Sequence, residues 1–245
     1  MTLDTMKRET PFQRIFRQLL RNRRAVVGAI LLLLIIGLAV FAPYVTKYDP
    51  AKQNMRNRLQ PPSKEHILGT DQFGRDIYSR VVYGARLSLR VGFLSISLAL
   101  VVGSALGLIA GYYGGILDNI IMRFIDILLA LPGFLLALSI VAALGPGLEN
   151  VILAIGVSYI PSFARMMRSS VLAIRELDYV DAAEALGARD LRIILGHIVP
   201  NAVNPIIVMT TLSLAGAILS AAGLSFLGMG AQPPTPEWGS MIATS

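Results

Sequence analysis

Apolar residues in this chain gather into long uninterrupted runs, unlike the short stripes that face a soluble core. A hydrocarbon layer of roughly 30 Å takes about 20 residues of helix to cross, so runs of that length are the units to count. Ala25 to Thr46 is the first and Val91 to Leu117 the second. Ile127 to Ala164 is too long for one crossing and contains Gly145-Pro146-Gly147, a strong breaker followed by Glu149. It divides into a third span near 127–144 and a fourth near 150–166. Asn201 to about Leu227 is the fifth. Pro132 and Pro161 are expected to kink the third and fourth helices. Basic residues (Arg21, Arg23, Arg24) precede the first run, but it is too long for a signal peptide and reads as a retained anchor.

Composition agrees. Hydrophobic residues make up 54% of the 245, charged residues only 15%, and mean hydropathy is +0.63. Soluble domains carry about 25% charged residues, and a soluble core could not hide so much apolar surface. The reading is an all-α integral membrane protein, a polytopic helical bundle. The net charge of +7 fits basic loops and anionic lipid better than nucleic acid. There is no cysteine, which excludes disulfides and thiolate metal sites.

Five spans put the ends of the chain on opposite sides. The N-terminal tail (1–24), the 118–126 turn and the 165–200 loop together hold 13 of the 22 basic residues; 43–90 and the remaining connections hold 9. The positive-inside rule therefore places the N-terminus in the cytoplasm, with 47–90 an extracytoplasmic segment and lead-in.

Small residues recur on two spans. Gly103, Gly107 and Gly111 form a doubled GxxxG face, and Gly216 and Ser220 flank Ala217 and Ala221. These let another helix approach closely, within the chain by preference and across a subunit interface as the alternative.

The 165–200 loop is the most informative stretch. Leu177, Val180, Ala183 and Leu186 recur at three-residue spacing beside Asp178, Asp181 and Glu184, which predicts a short amphipathic helix with an acidic flank. Gly187 suits a positive φ just past its end. Asp190 is then expected to cap a second helix carrying Leu191, Ile194, Leu195 and Ile198, with Pro200 bounding it. Two explanations compete: a loop packed under its own bundle, or a plug for a groove on a soluble partner.

Asp181-Ala182-Ala183-Glu184-Ala185-Leu186-Gly187, then Val199-Pro200, closely resembles the "EAA" signature of ABC importer permeases. That pattern is Glu-Ala-Ala, three residues, Gly and, after a fixed gap, an apolar residue, any residue, then Leu-Pro. Here Asp181 stands for Glu, His197 for the apolar residue and Val199 for Leu, with the spacing intact. Leu68-Gly69-Thr70-Asp71, Gly74-Arg75-Asp76, Ser79-Arg80 and Tyr83-Gly84-Ala85-Arg86-Leu87-Ser88-Leu89 resemble the lead-in of the dipeptide/oligopeptide/nickel permease subfamily. Leu224-Ser225-Phe226-Leu227-Gly228-Met229-Gly230, then Gln232-Pro233-Pro234-Thr235-Pro236-Glu237-Trp238-Gly239, resemble the end of its fifth core helix and the following loop. The resemblance runs from about Phe12 to Ser245 and is to the "C"-type permease.

The resemblance implies a type I ABC importer permease core, over 91–245, preceded by one extra N-terminal transmembrane helix. It implies a bacterial or archaeal inner-membrane subunit paired with a second permease, two ATP-binding subunits and an extracytoplasmic substrate-binding protein. ATP and Mg would bind those partners, and this chain would hold no cofactor and not itself be an enzyme. Asp181, Ala182, Ala183, Glu184, Gly187 and Pro200 would then be the ATPase-coupling element. Substrates handled by close relatives include dipeptides, oligopeptides, glutathione and nickel chelates. The family pattern has one further span beyond the Glu-Trp-Gly loop, which is expected to follow Ser245. The alternative from another class, a self-sufficient secondary transporter or channel, would need membrane-buried ionisable residues, and the middles of the spans carry none.

Other charged residues have local expectations. Arg165 and Arg168 are expected to snorkel to lipid headgroups, and Arg123 and Asp126, at i, i+3, to pair with one another. Asp71, Arg75 and Asp76 suit a structural turn. No G-x-x-x-x-G-K-[ST] or H-E-x-x-H sequence occurs, and His66 and His197 are too isolated for a metal site and are expected to be solvated or capping.

Overall fold

The computed structural model describes residues 22–244, so the basic tail expected over 1–24 lies almost wholly outside it. Helix α1 is Arg23–Val40, capped by the Asn22 side chain, which accepts from the Arg24 and Ala25 amides. It stops at Phe41, and Pro43 lies in a separate helical turn, Ala42–Val45. Only Ala39 of α1 is buried, and Val27, Ile30, Leu33 and Leu34 present bare apolar side chains, as lipid contact requires.

Helix α2 runs Ile77–Tyr113 and so begins well before the span expected at 91–117. Its start is set by Asp76, whose carboxylate accepts from the Ser79 amide at 2.8 Å. Helix α3 is Gly115–Leu129, where a turn was expected over 118–126; α4 is Gly133–Leu144. The two are bent by 86° at a short break, so the third span, expected near 127–144, is not one straight helix. Pro132, which has no N–H to offer and whose ring clashes with the preceding turn, lies in that break.

Helix α5, Leu148–Arg175, runs through Pro161 and continues past the expected end at 166. Buried Met167 and Val171 carry it onward, which shortens the loop expected over 167–200. Helices α6 (Asp178–Ala185) and α7 (Asp190–Ile193) follow. Next come a π turn over Ile194–Ile198, helix α8 (Val199–Phe226) and the short α9 (Trp238–Ala243). Pro200 does not bound a helix as expected. It lies in the first turn of α8, directly after the π turn, where the Val199 amide donates back five residues to the Ile194 carbonyl. The wider turn leaves room for a ring that a tight α turn would reject.

Among the described residues four helices are long and apolar enough to cross a membrane, and the bent α3–α4 pair would make a fifth. The central pair is α2 against α5. A Cβ at Gly103, Gly107 or Gly111 would stand 2.7, 2.2 or 2.9 Å from atoms of α5, so the GxxxG face serves packing within this chain. Gly156 repays the contact from α5, facing Leu98. Ile96 and Ala99 of α2, Ile155 and Phe163 of α5, and Ala217 and Leu224 of α8 fill the core between them.

Candidate functional site

The candidate site is the α6–α7 loop and the end of the bundle that carries it. Asp178 and Asp181 lie in the first turn of α6, where carboxylates favour the helix dipole. The C-terminus closes as a Schellman motif. The Gly187 amide donates to Glu184 O at 2.8 Å and the Ala188 amide to Ala183 O at 3.0 Å, with Gly187 at φ +78°. Nothing lies within 4 Å of a Cβ built on Gly187, so the glycine is required by the backbone and not by space.

Val180 is fully buried and Ala183 packs on the core, while Asp181, Ala182, Glu184 and Ala185 face outward. Of the expected apolar stripe, Leu177 is exposed and Leu186 is 88% exposed. In the second arm Ile198 is buried, but Leu191 and Leu195 are open, and Ile193 takes the inner position instead. The loop is therefore seated through a few residues and leaves acidic and apolar groups outward together. Asp181 and Glu184 form no ion pair among the described residues.

Polar contacts bind this loop to the bundle. Asp190 does not cap α7; Arg189 holds that position, and the Asp190 carboxylate accepts from the Tyr112 hydroxyl at 3.2 Å. Just before the loop, Arg175 at the end of α5 donates to the Tyr112 carbonyl of α2 at 2.7 Å. The Tyr179 and His197 rings lie 6.0 Å apart, and the Asn201 side chain donates to the Tyr179 hydroxyl and the His197 carbonyl.

Two arginines expected at the lipid headgroups make ion pairs instead. Arg168 grips Asp118 in a bidentate contact of 2.5 and 2.6 Å, and Arg165 meets Asp126 at 2.6 Å. Asp126 thus pairs across helices and not with Arg123. Both pairs join α3 to α5 over sequence separations of 50 and 39 residues, which no local spacing could announce.

Of the remaining expected positions, Gly216 faces the Tyr159 hydroxyl, 2.5 Å from where a Cβ would stand. Ser220 lines a cavity at the α3–α4 break.

The opposite end is locked by a second polar cluster. Asp71 accepts from the amides of Phe73 and Arg75 and from the Arg75 side chain at 2.7 Å. Burial alone would raise its pKa; these hydrogen bonds outweigh it and hold the carboxyl below its ordinary value. His66, expected to be solvated or capping, is buried and donates from Nδ1 to Asp76 at 2.9 Å. Arg80 reaches the carbonyls of Pro50 and Pro234, and Trp238 donates to the Val81 carbonyl at 3.0 Å. Glu237, 2% exposed, accepts from the Ser240 amide and from Ser88. These contacts tie the lead-in, the start of α2 and the loop after α8 into one block. Asp71, Arg75 and Asp76 are turn and cap residues within it. Among the described residues no three His, Asp or Glu side chains gather to hold a metal.

A multi-pass helical membrane protein is thus defined, with an outward-facing acidic loop at one end and a polar lock at the other. Residues 103–245 match the model of the binding-protein-dependent transport system inner membrane component family, and residues 10–62 that of the N-terminal TM domain of oligopeptide transport permease C. The chain belongs to this family and is an ABC importer permease. It is 52% identical to the dipeptide transport system permease protein DppC of Alkalihalophilus pseudofirmus, over 96% of this chain and 78% of that one. Identity to the glutathione transport system permease protein GsiD of Pectobacterium atrosepticum is 44%, over 95% and 78%. Among solved structures, an inward-facing MetNI methionine ABC transporter superposes with a TM-score of 0.56 at 21% identity, covering 68% of this chain and 86% of that one, a likeness of fold.

Proposed function

We propose that this chain is one of two permease subunits lining the path of an importer for di- and oligopeptides, coupled to ATP-binding subunits through the α6–α7 loop. The observation that carries this reading is the loop itself: a helix seated by Val180, bearing Asp181 and Glu184 outward without ion-pair partners among the described residues, and ended by a glycine in a left-handed turn. Small Ala182 and Ala185 would let the helix seat closely in a groove, and the carboxylates would meet basic groups there. The peptide class follows the names of the relatives. ATP and Mg belong to the partners, which carry the hydrolysis; an extracytoplasmic binding protein delivers the substrate. The N-terminus and the α6–α7 loop lie on the cytoplasmic side of the inner membrane.

The test uses the full assembly in proteoliposomes. Gly187→Val should leave the chain in the membrane but reduce peptide uptake and binding-protein-stimulated ATPase activity at least tenfold, because a β-branched residue cannot hold φ +78° cheaply. Gly187→Asn, which tolerates that backbone, should retain most of both. Wild-type uptake in the valine variant would remove the loop from the mechanism. Peptide uptake driven by an ion gradient in this chain alone would overturn the importer reading.

A further inference from the structure

The bend between α3 and α4 opens onto a cavity of about 250 Å³ that the coupling mechanism leaves unused. Ser158, Tyr159 and Ser162, near the middle of α5, form one wall, and Ser220 of α8 another; Leu128 and Phe134 complete it from the two arms of the bend. No charged residue lines it. Ser158 donates to the Ile155 carbonyl, but the hydroxyls of Tyr159, Ser162 and Ser220 make no hydrogen bond among the described residues.

Irregular backbone at membrane depth is tolerated where it is buried in protein or lines a polar cavity, and interrupted helices commonly mark where a transporter meets its cargo. Three half-buried hydroxyls with free capacity converge from two helices beside such an interruption, open to a visiting hydrogen-bond partner. A hydroxyl both donates and accepts, so it can satisfy an amide N–H or a carbonyl as either passes. The leucine and phenylalanine can take apolar side chains, and the absence of charge avoids a deep trap for any one peptide. Binding that is weak and general suits passage.

We infer that this cavity is a contact point for cargo on the translocation path, where the hydroxyls of Tyr159, Ser162 and Ser220 engage the neutral backbone of a short extended peptide. The inference rests on the peptide-importer reading above. It assigns side-chain tolerance to the permease through the chemistry of hydroxyls, which read amides and not side chains.

The chain contains no cysteine, so a single introduced thiol is the only one it carries. Ser162→Cys and Ser220→Cys are near-isosteric and are examined in the complete assembly, in proteoliposomes, during ATP turnover. Exposed Ser139→Cys on α4 is the control. The probe is a small charged methanethiosulfonate, read as mass added to this chain, with the dipeptide Ala-Phe delivered by the binding protein. Labelling at 162 and 220 should slow at least fivefold with peptide present, while labelling at 139 does not change. Once labelled, the 162 and 220 variants should lose uptake about tenfold. Tyr159→Phe, which keeps the ring against Gly216, should raise the KM for uptake about fivefold with little change in kcat. Equal labelling with and without peptide, or full uptake after labelling, would overturn the cavity's role while leaving the importer reading in place. An unaltered assembly that takes up no Ala-Phe would sink the importer reading, and this inference with it.

Discussion

Individual glycines differ sharply in what they do. Gly107 lies where a Cβ would stand 2.2 Å from the Ala164 carbonyl, a backbone atom that cannot move aside, whereas nothing lies within 4 Å of a Cβ on Gly37. Gly107→Leu should therefore destabilise the bundle by about 3 kcal/mol or more through overpacking, and Gly37→Leu hardly at all. Thermal unfolding in detergent checks this, and equal shifts at the two sites would contradict the packing described. The GxxxG spacing was legible in sequence; that its partner is α5 of the same chain was not, because spacing identifies a face and says nothing of what covers it. Asp71 makes a residue-scale claim about pH. Its carboxyl is held below the ordinary 3.8 in the fold, so its contribution is complete above that value and fades as pH falls through the lowered one. The stability gap between the unaltered chain and Asp71→Asn should stay flat from pH 7 to 5 and narrow on further acidification.

Helices α2 and α5 are longer than their apolar runs, and the third span is bent. Charged residues marked the expected ends, yet α2 begins at Ile77 and carries Arg80, Arg86 and Arg90 within it. A helix can extend beyond hydrocarbon wherever a cap and a packed face support it, and Asp76 supplies that cap. The arms of the α3–α4 bend are held differently from one another. Only α3 has ion pairs to α5, and these two pairs should not be equal. Arg168–Asp118 is bidentate, with side chains 33% and 18% exposed, whereas Arg165–Asp126 is single and more than half exposed. A double-mutant cycle on Arg168→Gln and Asp118→Asn should give a coupling of about 1 kcal/mol, and one on Arg165→Gln and Asp126→Asn no more than about 0.5 kcal/mol. The reverse order would show that geometry is not what sets their strength. At this scale the amphipathic spacing over 177–186 did anticipate α6, because i, i+3 periodicity is local. It overstated the buried stripe, since Leu186 falls past the helix end and is left outside.

On the scale of the whole molecule, the two polar ends are built differently. The lead-in and the loop after α8 are locked by Arg80, Trp238 and Glu237, while the α6–α7 loop is held by few contacts and left open outward. If those ends face opposite sides as proposed, Lys64→Cys should react with a membrane-impermeant thiol reagent added outside intact cells. Glu184→Cys should react only after permeabilisation. Reaction of both from outside would reverse the orientation inferred from basic residues.

Local physics settles what is determined by the sequence alone. The length of the apolar runs dictates a membrane bundle, the periodicity and glycine dictate the α6 turn, and the motif residues carry the family. What needed the tertiary structure is what depends on residues far apart. Arg168 meeting Asp118, Tyr112 meeting Asp190, and three hydroxyls converging on the α3–α4 bend are each decided by how helices cross. An ion pair or a cavity wall is a relation between surfaces, and one-dimensional spacing records only the surface of a single helix.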